Sequence, residues 1–305
     1  MRACCRYIGG RVDVKIARTA GFCWGVRRTV EKVNEVADEA VGPVVTLGPI
    51  IHNPQAVARF EQRGIGTVQS VSDVPDGTTV VVRTHGAVRE ELERAQARGL
   101  TVVDGTCPYV IFPQAMARRL SAEGYHLVIV GDEKHAEIKG VVSYAQGPVT
   151  VVKPGGPVPE FKAKKVAVLA QTTCVGADFE RVVGQLALRH MEVRAVNTIC
   201  NDTEERQADA RALAREVDAV VVVGGKNSAN TRHLAEICRA IQPRTWHVET
   251  EAELETGWFE GCRTVGLSAG ASTPDWVVEG VAAWLRAGGA PREAAGGRGG
   301  SAHMP

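Results

Sequence analysis

The chain has 305 residues, of which 44% are hydrophobic and 23% charged, with a formal net charge of +1 at pH 7. This length allows two or three core-bearing domains of a globular protein, and the near-neutral charge gives no basic excess for nucleic acid. The apolar runs are of strand length, and the start, MRACCRYIGG, lacks the apolar segment of a signal peptide. Eight cysteines spread over a chain of this length, without a signal peptide, fit a reducing compartment better than a disulfide scaffold. We therefore expect a cytoplasmic protein that binds neither nucleic acid nor a membrane.

Short runs rich in Val and Ile recur along the chain, and each ends in a small polar cluster. In chain order they are GPVVTLG, TTVVVRTHG, TVVDGTC, HLVIVGD, KVAVLAQTT, AVVVVGG and RTVGLSAG. Helical patterns follow most of them, such as REELERAQARG after Val88 and DFERVVGQLALRH after Ala177. Two later helix starts are marked by Asn201 and Asp202 before TEERQADARALARE and by Pro274-Asp275 before WVVEGVAAWLRAGG. This alternation predicts an α/β fold with mainly parallel sheets, whose polar clusters lie at the carboxyl ends of strands.

Three cysteines occupy matching places in this pattern. Cys23 in GFCWG, Cys107 in DGTCPYV and Cys200 in NTICNDT each stand beside a turn or cap signal and ahead of a helical run. Counting 28 or 29 residues onward from each cysteine reaches a strand–loop–helix junction, with His52, His135 and Ser228 at the three positions. A second set of polar strand ends holds His85, Thr172 with Thr173, and Ser272.

We interpret this pattern as three α/β repeats, over residues 12–107, 108–198 and 199–288. Residues 1–11 and 289–305 are expected to be disordered tails. If the repeats surround a pseudo-threefold axis in a trefoil-like arrangement, the three thiols converge at the centre, and six polar loops surround them.

Three converging thiolates suit a metal centre with one open position. Structural zinc takes four protein ligands and favours Cys-x2-Cys pairs, which this sequence lacks. A [4Fe–4S] cluster normally uses four cysteines, so three would leave one iron open to substrate. The alternative is that the cysteines are small buried apolar residues. We keep that interpretation for the cysteines without a repeat equivalent, which are Cys4, Cys5, Cys174, Cys238 and Cys262.

The polar loops indicate what such a site would bind. Imidazoles, hydroxyls and amides predominate over Lys and Arg, and several stand near predicted helix N-termini, which favour anions. This lining suits a phosphate or diphosphate held by hydrogen bonds, although no P-loop motif is present. Glu137, two residues after His135, is the candidate proton donor. The alternative for Glu137 is a solvent-exposed glutamate in the first turn of a helix.

The motifs together resemble those of the 4-hydroxy-3-methylbut-2-enyl diphosphate reductase (LytB) family. In order they are AGFCWGVRRTV, IIHNPQ, RTHGAV, DGTCPYV, GDEKHAEIKG, QTT, TICNDTEERQ, GGKNSANTRHL and SAGASTPD, and the resemblance covers about residues 14–285. The resemblance implies a trefoil of three α/β domains around an iron–sulfur cluster. It implies an enzyme of the methylerythritol phosphate route, which removes a hydroxyl reductively from an allylic diphosphate to give isopentenyl and dimethylallyl diphosphates.

The same resemblance implies roles for individual residues. Cys23, Cys107 and Cys200 would hold a [4Fe–4S] cluster with one open iron. Glu137 would deliver protons, and Thr172 would hold the hydroxyl end of the substrate, flanked by Gln171 and Thr173. The diphosphate would be bound by His52, His85, His135, Ser228, Asn230 and Ser272. Since the chain has no flavin or nicotinamide motif, its electrons would come from a partner such as ferredoxin or flavodoxin.

Two positions depart from the family pattern. Ala229 stands where members often have a second serine, so one donor to the diphosphate is missing. Trp24 stands where many members have a smaller residue or another aromatic, and it could crowd the cluster or shield it.

Three other functions compete with a reductase. Quinolinate synthase also resembles a pseudo-threefold assembly around a three-cysteine cluster, but its motifs differ from these. A paralogue that acts as a hydratase without net reduction would keep the same residues. A redox sensor would need the thiols but not His135, Glu137, Thr172 and Ser272 together.

Overall fold

The computed structural model describes residues 12–289, so the predicted tails, Cys4 and Cys5 lie outside the described residues, except for Gly289. Within that range the strands are β1 (Asp13–Ile16), β2 (Val44–Leu47), β3 (Gly66–Val68), β4 (Thr79–Val82), β5 (Thr101–Asp104), β6 (His126–Val130), β7 (Val149–Val152), β8 (Lys165–Ala170), β9 (Glu192–Ala195), β10 (Ala219–Val223), β11 (Thr245–Val248) and β12 (Thr264–Ala269). The helices are α1 (Trp24–Glu39), α2 (Pro54–Gln62), α3 (Arg89–Ala97), α4 (Pro108–Ala122), α5 (Ala136–Ser143), α6 (Gly176–Ala187), α7 (Asn201–Glu216), α8 (Ala229–Ile241) and α9 (Asp275–Arg286). Short 3-10 helices cover Val71–Asp73, Glu251–Glu253 and Thr256–Phe259.

The described strands form three four-stranded sheets, and every pairing within them is parallel. The strand orders are β3-β2-β4-β5, β7-β6-β8-β9 and β11-β10-β12-β1. Each sheet therefore has the same topology: three strands consecutive in the chain plus one edge strand. The predicted α/β class with parallel sheets is confirmed, and α3, α6, α7 and α9 begin within two residues of their predicted starts.

The edge strand of the third sheet comes from the other end of the chain. β1 lies inside the predicted first repeat, yet it pairs with β12, from Asp13 opposite Thr264 to Ile16 opposite Leu267. A hydrophobic pattern cannot reveal this, because β1 has the same composition whichever sheet it joins. The three domain ranges as a whole stay a prediction.

By its internal contacts the chain divides into two compact units. One consists of the described parts of Met1–Cys23, His52–Ala56 and Glu205–Pro305, and it contains the sheet of β11-β10-β12-β1. The other consists of Trp24–Ile51 and Val57–Glu204, and it contains the remaining two sheets.

Cores on both faces of the sheets explain the continuous valine runs. In β10, Val221 and Val223 belong to one buried cluster, while Val220 and Val222 belong to another. Parallel strands are covered on both faces, so successive side chains are all apolar. The candidate site residues lie in the loops at the strand ends. No helix within residues 12–289 is long and apolar enough to span a membrane.

Candidate active site

The predicted site residues occupy equivalent positions in the three sheets. The fifth residue after β2, β6 and β10 is His52, His135 and Ser228, respectively. The third residue after β4, β8 and β12 is His85, Thr173 and Ser272, respectively. All of these loops follow the carboxyl ends of parallel strands, where α/β folds bind their ligands.

The three candidate metal-binding cysteines are held in the same way. Each directly precedes a helix, namely α1, α4 or α7. The backbone N–H of each cysteine donates a 3.0 Å hydrogen bond to the carbonyl oxygen of the second residue after a strand. The pairs are Cys23 with Ala271, Cys107 with Thr84, and Cys200 with Thr172. The structure thus ties every cysteine to a site loop of its own sheet.

The thiols of Cys107 and Cys200 lie where a helix N-cap acceptor would lie. Burial raises the pKa of both thiols, that of Cys200 to about 11. Backbone N–H groups of the first helical turn oppose this shift, from Tyr109 and Val110 at Cys107, and from Asp202 and Thr203 at Cys200. The Cys107 thiolate also raises the pKa of Cys200, so the two sulfurs are close enough to interact electrostatically.

These surroundings fit an iron–sulfur cluster. Thiolates are the usual ligands of such clusters, and N–H hydrogen bonds to sulfur tune them. The raised pKa values mean that iron must displace protons from the thiols when it binds. No disulfide joins the cysteines within residues 12–289. The three described cysteines without a repeat equivalent, Cys174, Cys238 and Cys262, lie in apolar cores.

Glu137 and Thr172 form a buried hydrogen-bonded pair. Glu137 is only 1% exposed, in the first turn of α5. Its Oε1 accepts from the backbone N–H of Thr172, and its Oε2 accepts from the Thr172 hydroxyl, each at 2.7 Å. A solvent-exposed helix-start glutamate, the alternative considered from the sequence, does not describe this side chain.

Burial raises the pKa of Glu137 to about 7, although both hydrogen bonds from Thr172 act in the opposite direction. Desolvation disfavours the charged carboxylate, and no cation is among the causes of this shift. The carboxyl group therefore exchanges its proton near neutral pH, as an effective general acid requires.

Gln171 supports the Glu137–Thr172 pair. In the sequence, Gln171 was singled out only as a neighbour of Thr172. Its Oε1 accepts from the backbone N–H of Asp132 at 3.0 Å, and its Nε2 donates to the Thr173 hydroxyl at 3.2 Å. It thereby joins the loops after β6 and β8. A Cβ on Gly131 would lie 2.8 Å from Ile138 Cδ1 and 3.0 Å from Gln171 Oε1, so a larger residue there would have to displace these side chains.

His135 is oriented by the helix that it caps. Its Nδ1 accepts from the backbone N–H of Glu137 at 3.2 Å, so the neutral ring carries its proton on Nε2. The ring of His85 meets it edge to face, with centroids 5.4 Å apart. Two strand-end histidines are therefore neighbours, and His135 presents an N–H donor.

In the unit that contains the sheet of β11-β10-β12-β1, His52 lies beside the two glycine-containing loops that follow β10 and β12. Its carbonyl oxygen accepts from the Ser272 hydroxyl at 3.2 Å. A Cβ on Gly225 would lie 2.5 Å from the same oxygen, a contact that side chains do not make. The loops after β10 and β12 thus converge on the segment that carries His52.

The start of α8 supplies two further polar groups. The Ser228 side chain caps α8 by accepting from the backbone N–H of Thr231 at 3.3 Å. Asn230 is 4% exposed, and its Nδ2 makes no hydrogen bond to any residue that the structure describes. A buried amide donor without a partner is costly unless a ligand accepts from it. Ala229 between them is buried and offers no donor.

Arg28 is a residue near the thiols that the sequence did not reveal. It donates to the carbonyl oxygen of Thr106 at 3.4 Å and lowers the pKa of the adjacent Cys107. The one sequence feature that could have pointed to Arg28 is its position one helical turn after Trp24. Trp24 itself is 61% exposed, so most of its ring faces solvent.

Comparisons with known proteins agree with the resemblance in the motifs. The family described as LytB protein matches residues 14–286. A 4-hydroxy-3-methylbut-2-enyl diphosphate reductase of Anaeromyxobacter sp. (strain K) is 84% identical over 276 residues, covering 90% of this chain and 99% of the relative. The same enzyme of Geobacter sulfurreducens is 47% identical, covering 88% of this chain and 95% of the relative.

Solved structures of this enzyme are similar too. A structure of (E)-4-hydroxy-3-methyl-but-2-enyl diphosphate reductase, described as the terminal enzyme of the non-mevalonate pathway, matches with a TM-score of 0.68 and 42% identity, covering 90% of this chain and 99% of that one. The reductase of Plasmodium falciparum matches with a TM-score of 0.82 over 88% of this chain and 86% of that one, at 24% identity, and supports the fold alone. With the motifs, the fold and the relatives in agreement, the chain belongs to the LytB family.

Proposed function

We propose that this chain is an iron–sulfur reductase that converts 4-hydroxy-3-methylbut-2-enyl diphosphate into isopentenyl and dimethylallyl diphosphates. The reaction adds two electrons and two protons, breaks the carbon–oxygen bond of the allylic hydroxyl and releases one water. Membership of the LytB family supports an iron–sulfur enzyme, and its relatives are reductases of this substrate. The observation that carries the site assignment is the buried Glu137–Thr172 pair beside the loop that holds Cys200.

Cys23, Cys107 and Cys200 are the ligands that we assign to a [4Fe–4S] cluster. Their support is their equivalent place before three helices and their identical backbone hydrogen bonds. When bound, such a cluster supplies electrons and one iron without a protein ligand, open to the substrate.

Glu137 and Thr172 form the proton route. Glu137 holds a proton near neutral pH because it is desolvated. The Thr172 hydroxyl both accepts and donates, so a proton on Glu137 Oε2 passes to Thr172 Oγ1, whose own proton passes to the departing hydroxyl of the substrate. The backbone of Thr172 stays in place during this transfer, since its N–H bonds to Glu137 and its carbonyl oxygen accepts from Cys200.

The diphosphate is held by neutral donors. The residues that we assign to it are His52, His85, His135, Ser228, Asn230 and Ser272, while Thr173 binds the substrate beside Thr172. The Nε2–H of His135 and the unsatisfied Nδ2 of Asn230 support this role, because each offers an N–H to an oxygen of the ligand. Helix N-termini at His135 and Ser228 favour the negative charge.

Electrons reach the enzyme from a partner protein such as ferredoxin or flavodoxin. No flavin or nicotinamide motif occurs in the sequence, so the chain has no carrier of its own for the two electrons. The cytoplasmic location expected from the sequence is the compartment in which such carriers are found.

The experiment is anaerobic purification followed by iron and sulfide analysis and Mössbauer spectroscopy, with and without 4-hydroxy-3-methylbut-2-enyl diphosphate. We expect about four irons per chain, as in a cubane cluster, and a change in the signal of one iron when substrate binds. Cys107→Ser should lose iron, while Cys262→Ala, a buried control in an apolar core, should keep it. Turnover without added reductant would support a hydratase, and a cluster that does not respond to the substrate would support a sensor.

A further inference from the structure

Exposed apolar side chains are concentrated at the starts of two helices. Within residues 12–289, eight large apolar side chains are exposed. Four of them lie in the first or second turn of α1 or α4, beside Cys23 and Cys107 in the chain. They are Trp24 (61%), Tyr109 (41%), Ile111 (43%) and Phe112 (46%). An exposed cluster of this kind, unlike scattered single residues, marks an interaction surface.

The two helix starts belong to one surface. The Thr29 hydroxyl donates to the carbonyl oxygen of Gly105 at 2.7 Å, and Lys32 Nζ donates to that of Asp104 at 2.8 Å. Arg28 reaches the next carbonyl, that of Thr106, at 3.4 Å. One face of α1 therefore lies along the loop that leads into α4. Trp24 is one turn before Arg28 on that face, which brings its ring to the side where α4 begins. We call the four exposed side chains and this face the aromatic face.

This aromatic face lies close to a thiol that we assign to the cluster. Cys107 is the last residue before α4, and the backbone N–H groups of Tyr109 and Val110 act on its sulfur. Arg28 also acts electrostatically on the Cys107 thiol. Only the first turn of a helix separates the exposed side chains of α4 from the sulfur.

The charges on the aromatic face favour an acidic partner. Neither α1 nor α4 has an acidic residue in its first turn. In the first three turns of α1, Arg27, Arg28 and Lys32 outnumber the one acidic residue, Glu31, whereas Glu35, Asp38 and Glu39 lie in its last turns. The third equivalent helix differs, since α7 has Asp202 and Glu204 in its first turn and no exposed large apolar side chain there. The starts of α1 and α4 would therefore attract an acidic protein, whereas the acidic first turn of α7 would not.

We propose that the aromatic face of α1 and α4 is the docking surface for an acidic one-electron donor protein. The proposal rests on the proposed function, because only a reductase needs the donor. Each turnover oxidises two reduced donor molecules by one electron each, and the two electrons, with two protons, convert the allylic alcohol into the alkene and water. A small, mainly apolar patch with basic neighbours suits a partner that must leave between electrons, because transient redox interfaces are small.

The test compares two sources of electrons on the loaded enzyme. One is a reduced ferredoxin of low isoelectric point, and the other is dithionite with methyl viologen, which needs no docking surface. The variants are Trp24→Ser and Phe112→Ser. The controls are Leu188→Ser and Met191→Ser, which remove side chains that are each 90% exposed elsewhere in the same unit. A second readout is calorimetric titration of oxidised ferredoxin into the holoenzyme, which reports binding without turnover.

We expect Trp24→Ser and Phe112→Ser to raise the KM for ferredoxin and its dissociation constant about tenfold, since aromatic anchors dominate such interfaces. Rates with methyl viologen should stay within about twofold, as for other surface substitutions. The controls should behave as the unchanged chain with both reductants. Added salt should weaken ferredoxin binding, because basic groups contribute to it.

Several results would overturn the docking surface. Unchanged ferredoxin binding in both variants would do so, and so would equal losses with both reductants, which would place these side chains in the catalytic machinery. Dissociation of a dimer in the variants would show that a second copy of the chain covers the face. The proposed function fails separately, if the unchanged chain does not reduce the substrate even with methyl viologen.

Discussion

Replacement of Glu137 by Gln tests the proton route most directly. The amide has nearly the same shape and can still accept from the backbone N–H of Thr172, but it has no proton to give at neutral pH. The cluster and the bound substrate should therefore remain, while turnover stalls. Loss of a positioned general acid typically costs about 10²- to 10⁴-fold in rate, and we expect kcat to fall by that factor.

The raised pKa of Glu137 adds two measurable consequences. With a pKa of about 7, the carboxyl group is protonated below neutral pH, so kcat should fall as the pH rises through about 7. The folded protein also holds this proton more tightly than the unfolded chain does. Its contribution to the free energy of unfolding is fully present below the unfolded pKa of about 4.5 and decreases by roughly 3 kcal/mol as the pH rises to about 7.

The assay is anaerobic turnover with a chemical reductant from about pH 5.5 to about pH 9, with iron content measured on every sample. Glu133→Gln is the matched control, because Glu133 lies in the same loop and is exposed. The difference in unfolding free energy between Glu137→Gln and the unchanged chain should vary with pH, and Glu133→Gln should turn over at the rate of the unchanged chain. A variant that turns over at the normal rate, or that loses its iron, would refute Glu137 as the proton donor.

Three further substitutions probe the site and the core. Thr172→Val should lower kcat by at least about tenfold, whereas Thr172→Ser should keep most activity because it retains the hydroxyl, and equal losses in the two would contradict a role for that hydroxyl. Ala229→Ser adds the hydroxyl donor that the family resemblance implies at this position, and it should lower the KM for the substrate by about two- to tenfold, with an unchanged KM as the contrary result. Leu127→Ala removes a fully buried side chain of β6 and should lower the free energy of unfolding by about 2–5 kcal/mol in a denaturant titration, while a smaller loss would mean that the cavity collapses.

The three sheets have the same topology, but the residues in the loops at their strand ends differ in chemistry. The second residue after β4, β8 and β12 is Thr84, Thr172 and Ala271, respectively. The Thr84 hydroxyl donates to the carbonyl oxygen of Ile50 and the Thr172 hydroxyl donates to Glu137, whereas Ala271 has no hydroxyl. The seventh residue after β2, β6 and β10 is Pro54, Glu137 and Asn230, respectively. Only one sheet therefore combines a carboxylic acid with a hydroxyl at these positions, and the proton transfer that we propose is confined to that loop pair.

Local patterns were sufficient for much of this fold. Valine runs mark strands that are covered on both faces, and cap residues mark helix starts, because both effects act within a few residues. The spacing of Cys23, Cys107 and Cys200 likewise predicted equivalent places before three helices, which the structure confirms. The motif order was enough to identify the family.

Other properties depend on residues far apart in the chain. The sheet that β1 joins is decided by its pairing with β12, about 250 residues away in sequence, which periodicity cannot encode. The raised pKa of Glu137 comes from burial, which outweighs the opposing hydrogen bonds from Thr172, 35 residues later. Without that burial the same glutamate in a solvent-exposed helix would lack this shift. The exposure of Trp24 is equally a result of packing. The sequence alone determined which side chains are present and in what order. The tertiary structure decided how far each of them is exposed to solvent and which groups it contacts, and these two properties set its chemistry.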